Sequence, residues 1–312
     1  MSPRALPSTA TLGALCAIGA SAGFTVNDMA VKYLSSDYAM HQVILIRSTI
    51  ALALTLAIIM PLTGGLGQIR TRRPLTHLLR GLFVVSANMA FFLALAAMPI
   101  ADATAIFFIS PMVIALFSVV FLGETVGPWR WSAIGLGLLG VIIMIRPGTS
   151  AFTLVALLPL LAAVCYAALH TLTRKLGVSE SAATLAFYIQ LTFVLFSGAV
   201  GLGIGDGRYD AGGHASMVFL TRAWVWPAAA DWPFFILTGL GSAIGGLLIS
   251  QAYRMCEAAM VAPLEYVAMP MAIFWGLVVF GEWPDLLSWS GIILIIASGI
   301  FMIWRETRVK KS

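Results

Sequence analysis

Long apolar runs separated by short polar segments make up most of the chain. A helix needs about 20 residues to cross the hydrocarbon core of a bilayer. Ten runs are candidates for such spans, at residues 11–34, 40–61, 75–97, 100–122, 129–146, 152–174, 182–204, 231–254, 258–280 and 286–304. The pattern therefore predicts an all-α membrane protein with ten transmembrane helices, of which the first is retained and not removed as a signal peptide.

Part of this pattern recurs 158 positions further along the chain. The matching positions are Gly81 with Gly239, Gly123-Glu124 with Gly281-Glu282, and Trp131-Ser132 with Trp289-Ser290. In the first two spans of each unit only Lys32 with Lys175, and Arg47 with Gln190, can be aligned. A repeat at fixed spacing indicates one structural unit used twice. The predicted units are residues 11–146 and 152–304, and because five spans reverse the direction of the chain, we expect two inverted five-helix repeats.

The composition indicates that lipid is the main solvent. Apolar residues make up 60% of the 312 positions and charged residues 10%, and the mean hydropathy is +0.97. A soluble domain carries about 25% charged residues. The net charge of +5 does not predict nucleic-acid binding, because the basic residues flank the spans. The three cysteines and four histidines are scattered, so we expect no metal site and no cofactor.

The distribution of basic residues predicts the orientation in the membrane. With the N-terminus in the cytoplasm, the inner segments hold thirteen of the 18 Lys and Arg residues and the outer segments hold four, with Arg47 inside a span. Such an asymmetry favours cytoplasmic placement of both termini. Glu124 is then at the cytoplasmic end of the fourth span, and Glu282 is at the outer end of the ninth.

Acidic residues inside the spans are the first candidates for a site, because a charge at mid-bilayer costs about 2.5–3.5 kcal/mol on insertion scales. Asp28 lies within the first span, beside Asn27. We expect this pair to face a central cavity and to bind a substrate or a proton. The alternative is a position among the lipid headgroups, and Lys32, four residues further on, is a candidate partner for Asp28.

The second acidic candidate is Glu265 in the ninth span, with Pro263 and Pro270 on either side. Proline interrupts helical hydrogen bonding and leaves carbonyl groups that can face a cavity. We expect Glu265 to bind substrate there; the alternative is a structural salt bridge with Arg254 or Arg47.

Arg47 in the second span cannot shed its charge, so it should either pair with an acid such as Asp28 or extend to the headgroups. Other polar or aromatic side chains within the spans are candidates for substrate contact, with helix-to-helix contact as the alternative. These are Asn88, Phe108, His170, Gln190, Gln251 and Tyr266.

A further group of residues is expected to shape the ends or breaks of the spans. Glu124 and Glu282 each follow a glycine at the end of a span, so we expect them to set the turn into the next span or to act as gates. Pro111 lies in the fourth span at nearly the position that Pro270 has in the ninth, and with Pro263 these prolines predict broken helices in both units. Broken helices at matching positions are typical of transporter binding sites.

Two five-span units, each ending its fourth span in Gly-Glu before a fifth span that opens near Trp-Ser, resemble the drug/metabolite transporter superfamily of EamA type. Two segments are similar to bacterial S-adenosylmethionine and riboflavin carriers, namely Asn27-Asp28 with Lys32-Tyr33-Leu34, and Ala262-Pro263-Leu264-Glu265-Tyr266. The resemblance implies a ten-helix carrier of the bacterial inner membrane that moves a small polar metabolite without ATP.

The expected function is therefore transport by alternating access, with no enzymatic activity. The expected partners are a small-molecule substrate, the lipid bilayer and a proton or counter-substrate, and the chain is a monomer or a homodimer. Uptake of S-adenosylmethionine or riboflavin is the first hypothesis, and export of amino acids or related metabolites is the second. A passive channel, a membrane scaffold and an intramembrane serine hydrolase using Ser21 and His170 are more distant alternatives.

Overall fold

The computed structural model describes residues 9–71, 73–123, 128–146, 153–176, 181–210, 212–255, 261 and 264–309. Every regular element within these ranges is helical. The main helices are α1 (Thr9–Leu34), α2 (Met40–Leu54), α3 (Pro74–Leu95), α4 (Ile100–Phe107), α5 (Ser110–Leu122), α6 (Pro128–Ile145), α7 (Leu157–Leu176), α8 (Ala182–Ile204), α9 (Ala215–Thr221), α10 (Trp232–Met255), α11 (Ala268–Phe280) and α12 (Leu286–Val309). Helix α2 continues through a π-helical turn, Thr55–Ile59, into a last turn at Met60–Thr63.

Seven helical segments of the described chain are long and apolar enough to cross a membrane. They are Thr11–Leu34, Met40–Thr63, Pro74–Leu95, Ile100–Phe121, Leu154–Leu172, Ala182–Ile204 and Ala229–Met255. Shorter apolar helices cover Ile134–Ile145, Ala268–Phe280 and Leu286–Ser298. Large apolar side chains lie on the outside, and Leu202 is 91% exposed. The chain is therefore a multi-pass membrane protein, while the count of ten spans stays a prediction.

Close approach of helices explains several glycines in the spans. A Cβ atom at Gly23 of α1 would lie 3.3 Å from the Gly241 carbonyl oxygen of α10, and a Cβ at Gly241 would lie 2.6 Å from the Gly23 oxygen. A Cβ at Gly140 of α6 would lie 3.0 Å from the Gly291 oxygen of α12. Small residues permit this backbone contact between membrane helices.

Helices from the first part of the chain interleave with helices from the second part. Helix α1 packs against α10 and α11, α2 against α8 and α10, and α3 against α7 and α8. Helix α4 packs against α7 and α11, α5 against α7, and α6 against α12. The two predicted units therefore share one bundle, and side chains from both meet in its interior.

Candidate functional site

Two helix breaks lie at matching positions of the predicted repeat. The fourth span breaks at Phe108 and Ile109, between α4 and α5, and a turn at Tyr266 and Val267 precedes α11. The Phe108 and Ile109 positions become Tyr266 and Val267 when 158 is added. The breaks contact each other, because the Tyr266 hydroxyl donates to the Phe108 carbonyl oxygen at 3.4 Å and their ring centroids are 5.1 Å apart.

The prolines relate to these breaks in different ways. Pro111 is buried in the first turn of α5, directly after the break. Proline is tolerated in a first turn because its missing N–H has no helical acceptor there. Pro270 also lies in a first turn, that of α11, and is exposed. The break expected at Pro270 instead precedes it by three to four residues. Pro263 and Glu124 lie outside the described residues.

Glu265 is partly buried next to the second break and is held by two tyrosines. The Tyr166 hydroxyl donates to Glu265 Oε2 at 3.0 Å, and the Tyr253 hydroxyl donates to Glu265 Oε1. The His170 ring packs against both tyrosines, with centroid distances of 4.2 Å to Tyr166 and 4.5 Å to Tyr253. We call these four residues the acid–tyrosine cluster. Hydroxyl donors stabilise a carboxylate without neutralising it, so the group can still receive a cation or a proton.

The salt bridge considered for Glu265 is not formed in the described chain. Its recorded partners are hydroxyl groups, and neither Arg254 nor Arg47 forms an ion pair with it. Tyr166 is not among the expected site residues, because a single aromatic residue in a membrane helix usually serves packing. Its spacing of four residues from His170 places both side chains on one face of α7, and this spacing is the sequence feature that would identify it.

Arg47 is buried, with 2% of its surface exposed, and lies between two aromatic rings. Its Cζ atom is 4.6 Å from the Phe193 ring centroid and 5.2 Å from the Phe92 ring centroid. Its Nη1 atom is 3.5 Å from Asn88 Oδ1, a long contact. Contact with ring faces stabilises a guanidinium in a dry environment. The guanidinium therefore lies among rings inside the bundle rather than at its surface.

Asp28 and Arg47 interact electrostatically, but no ion pair within 4.0 Å joins them in the described residues. The hydrogen bond recorded for the Asp28 carboxylate comes from Asn27 Nδ2 to its Oδ1, at 2.9 Å. Lys32, the candidate partner of Asp28, turns away to another acid. The two charges of the first unit therefore lie near each other without direct contact.

Lys32 and Glu282 join the two predicted units at one end of the bundle. Lys32 Nζ lies 2.8 Å from Glu282 Oε1 and donates to the Met98 carbonyl at 2.7 Å. The Ile100 N–H donates to Glu282 Oε2 at 3.3 Å. Glu282 directly follows Gly281, the left-handed cap of α11 with φ of 66°. Glu282 therefore lies at the end of α11, and its carboxylate links α1, α4 and α11.

A second ion pair reaches the same connection between α11 and α12. Both carboxylate oxygens of Asp285 lie 2.6 Å from Arg146 Nη2, at the end of α6. The hydrogen bond from Arg146 holds the pKa of Asp285 at about 2, below its ordinary value of 3.8. The Asp285 side chain is 57% exposed, so this pair contributes little to stability.

The remaining candidates make local or helix-to-helix hydrogen bonds. Gln190 of α8 is buried, and its Nε2 donates to Ser242 Oγ of α10 at 2.9 Å. Asn88 Nδ2 donates to a carbonyl of its own helix at 3.0 Å. Gln251 Nε2 contacts Met255 Sδ one turn further along the same helix at 3.0 Å, so this contact does not connect Gln251 to the other candidate residues.

The serine and histidine of the hydrolase alternative are not joined. Ser21 is buried, and its hydroxyl donates to the Ala17 carbonyl of its own helix at 3.0 Å. His170 belongs to the acid–tyrosine cluster. The described chain records no hydrogen bond between these side chains, so it lacks the base–nucleophile contact that such an enzyme needs.

Part of the chain matches the model of a known protein family. Residues 11–146 match the model of the EamA-like transporter family. This match confirms the expected resemblance to EamA-type transporters over the first predicted unit.

Curated relatives cover nearly the whole chain at low identity. A riboflavin transporter from Rhizobium johnstonii is 28% identical over 97% of this chain and 94% of the relative. An S-adenosylmethionine uptake transporter from Rickettsia prowazekii is 23% identical over 92% of this chain and 91% of the relative. A pseudopaline exporter from Pseudomonas aeruginosa is 26% identical over 96% and 97%, respectively. Two of these relatives are named as transporters and the third as an exporter.

A solved crystal structure shares the fold. It has a TM-score of 0.68 and 19% sequence identity, and the match covers 95% of this chain and 97% of that one. At this identity the similarity concerns the fold alone.

Proposed function

We propose that this chain, whose residues 11–146 match the EamA-like transporter family, is a secondary transporter that moves a small polar organic metabolite across the bacterial inner membrane. Uptake of a metabolite resembling S-adenosylmethionine or riboflavin is the first candidate, supported by the names of two relatives. Export of amino acids or related metabolites is the second, and the exporter among the relatives favours it. The excess of basic residues on one side supports cytoplasmic termini.

The observation that carries this proposal is the meeting of the two helix breaks beside Glu265. Tyr266 at one break bonds to the Phe108 carbonyl at the other, and Glu265 precedes Tyr266. Broken helices free carbonyl groups for ligands, and ionisable residues inside membrane spans usually serve a function. The acid–tyrosine cluster and the two breaks together are therefore the proposed centre of substrate binding.

The pattern of helix packing supports two related five-helix units. Under the predicted repeat, α1 is equivalent to α7, α2 to α8, α3 to α10, α4 with α5 to α11, and α6 to α12. When each helix is replaced by its equivalent in the other unit, the α1–α10 contact becomes the α7–α3 contact. The α2–α10 contact becomes the α8–α3 contact in the same way, and all four contacts occur. Contact α1–α11 likewise becomes α7 with α4 and α5. This symmetry is what two repeats packed about one axis should produce.

Matching glycines support the same exchange. A Cβ atom at Gly81 of α3 would lie 2.2 Å from Thr192 Oγ1 of α8, and one at Gly239 of α10 would lie 2.5 Å from Ile50 Cγ2 of α2. Gly81 and Gly239 are equivalent in the repeat, and each leaves room for a side chain of the second span of the other unit. Both units thus use glycine at the same contact.

In the proposed cycle, the two units rock about the shared site and expose it to each side in turn. The Lys32–Glu282 pair joins the units at one end, so it must separate when that end opens. Glu265 changes partners when a cationic substrate group or a proton reaches it. That exchange is a means of coupling transport to a proton or to a counter-substrate.

The test replaces Glu265 with glutamine, which keeps the shape and removes the charge. Purified protein in liposomes is assayed for uptake of labelled S-adenosylmethionine, riboflavin and amino acids, with and without a pH gradient. E265Q should reduce uptake at least about tenfold, since hydrogen bonds to charged groups contribute about 1.5–3 kcal/mol. The matched control is D206N, because Asp206 lies at an exposed ion pair.

Uptake by E265Q equal to that of the wild type would remove Glu265 from the mechanism. Absence of uptake and export for every metabolite in the panel would contradict the proposed function. Dependence of the rate on the pH gradient would assign a proton as the coupling ion, and dependence on internal metabolite would assign a counter-substrate.

A further inference from the structure

Arg47 has hydrogen-bonding capacity that the protein does not use. Its Nε and Nη2 atoms are buried and have no hydrogen-bond partner among the described residues. Phe92 and Phe193 cover the two faces of the guanidinium, so a ligand could reach it only at its edge, where these two donors lie. A buried donor that has no hydrogen-bond partner costs about 1–3 kcal/mol, and more when the group is charged. An acceptor supplied by a ligand would remove this cost.

Unused acceptors accompany these donors. Asn27 Oδ1 and Gln190 Oε1 are buried without a partner in the described chain, and both residues are 3% exposed. The amide nitrogen of each side chain is already engaged, by Asp28 and by Ser242. Each amide therefore offers one free oxygen that can accept a hydrogen bond.

A short stretch of α10 brings the donors and acceptors into one neighbourhood. A Cβ atom at Gly239 would lie 3.3 Å from the Arg47 carbonyl oxygen, and one at Gly241 would lie 3.1 Å from Asn27 Cβ. The next residue, Ser242, holds Gln190. Gln190 is three residues before Phe193 on α8, so it shares the helix face that contacts Arg47.

The charges of this neighbourhood decide which ligands fit. Asp28 is the acidic residue that interacts with Arg47, and the two are not in direct contact. A ligand with only a carboxylate would be attracted to Arg47 and repelled by Asp28. A ligand with only a cation would meet the opposite conflict. A ligand that carries an ammonium group and a carboxylate on the same carbon atom satisfies both residues and leaves the net charge unchanged.

We propose that Arg47, Asp28, Asn27 and Gln190 bind the zwitterionic α-amino-carboxylate head of the substrate. The carboxylate accepts hydrogen bonds from Arg47 Nε and Nη2, and the ammonium group donates to Asp28 and to the free amide oxygens. This inference rests on the proposed function and names the chemical class of its substrate. It separates S-adenosylmethionine, which carries such a head, from riboflavin, which does not.

The first test compares two ligands on the wild-type protein, so it does not depend on the folding of any variant. The probes are S-adenosylmethionine and its decarboxylated form, which keeps the ammonium and the sulfonium but lacks the carboxylate. Binding to purified protein is measured by calorimetry. Removal of a partner from a buried charge pair costs about 2–5 kcal/mol, so the decarboxylated ligand should bind at least about 30-fold more weakly.

The second test asks whether Arg47 reads the carboxylate. In R47Q the two ligands should bind with affinities within about threefold of each other, because the discriminating donors are gone. R47K keeps the charge without the forked donors and should retain part of the preference. The matched control R208Q removes an exposed arginine that pairs with Asp206, and it should retain the full preference.

Equal binding of both ligands by the wild type, or binding of neither, would overturn the inference. A preference for the carboxylate that survives in R47Q would overturn the role of Arg47. Uptake of riboflavin without measurable binding of S-adenosylmethionine would also overturn the inference, while the proposed transport function would stand.

Discussion

The absence of a side chain at single residues determines how closely the helices of this bundle approach. Gly241 faces the Gly23 carbonyl of α1, and a Cβ atom there would lie 2.6 Å from that oxygen. Gly246, on the same helix, has no atom within 4 Å of its virtual Cβ. The approach of α1 to α10 therefore depends on Gly241 and not on glycine content in general. This approach also positions Asn27 against α10.

Replacing Gly241 with alanine should lower stability, because the backbone of α1 must move away. Overpacking of this kind costs about 1–3 kcal/mol. G246A is the matched control, since both variants gain the same helix propensity in the same helix. Thermal unfolding in detergent should show a lower transition temperature for G241A than for G246A. Equal transitions would contradict the close contact between α1 and α10.

At the scale of single residues, the sequence predicts which charged residues lie inside the spans, but it does not predict which side chains contact them. Asp28, Arg47 and Glu265 stand out because charges inside apolar spans are costly. Glu265 is held by Tyr166 and Tyr253, which come from α7 and α10 and are separated from it by other segments. Tertiary packing selects such partners, and periodicity along one helix does not reveal them.

At the scale of elements, the proposed binding site depends on two helix breaks, one in the fourth span and one before α11. Proline positions predict a break near Pro111, and the structure has it three and two residues earlier, at Phe108 and Ile109. The turn near Pro270 likewise lies before the proline, by three to four residues, and both prolines lie in a first helical turn, where the N–H that proline lacks would have no helical acceptor. The repeat offset of 158 aligns the two breaks, which proline positions alone do not.

The ion pair between α1 and the end of α11 is the element contact that should control opening. The Lys32 side chain is 10% exposed and that of Glu282 is 28% exposed, so the pair is poorly screened by water. K32E places two carboxylates together and should reduce the initial uptake rate at least about fivefold. The double variant K32E/E282K should recover part of the rate. Recovery should be incomplete, because Glu at position 32 cannot donate to the Met98 carbonyl.

The control for this pair is R208E, which reverses a charge at an exposed ion pair with Asp206. It should leave uptake within about twofold of the wild type, since exposed pairs contribute about 0–1 kcal/mol. Wild-type uptake by K32E, or no gain in the double variant, would mean that this pair has no part in the cycle.

At the scale of the whole molecule, the interleaved helices give the site its position. Helices of the first unit pack mainly against helices of the second, so residues such as Arg47 lie between rings from both units. Composition and hydropathy predict the membrane and the helical class, because lipid selects apolar helices. They do not predict which helices adjoin, since lipid-facing and protein-facing residues are equally apolar. The inverted orientation of the units stays a prediction from the odd span count.

Counterflow tests the central claim of alternating access most directly. Liposomes containing the purified protein are loaded with the unlabelled metabolite that the wild type transports, and a trace of the labelled metabolite is added outside without an ion gradient. A carrier should accumulate the label transiently above its equilibrium level, because the unlabelled metabolite inside competes for the inward-facing site and slows the exit of the label. Simple equilibration of the label, at a rate proportional to concentration and independent of the internal metabolite, would indicate a channel and contradict the account.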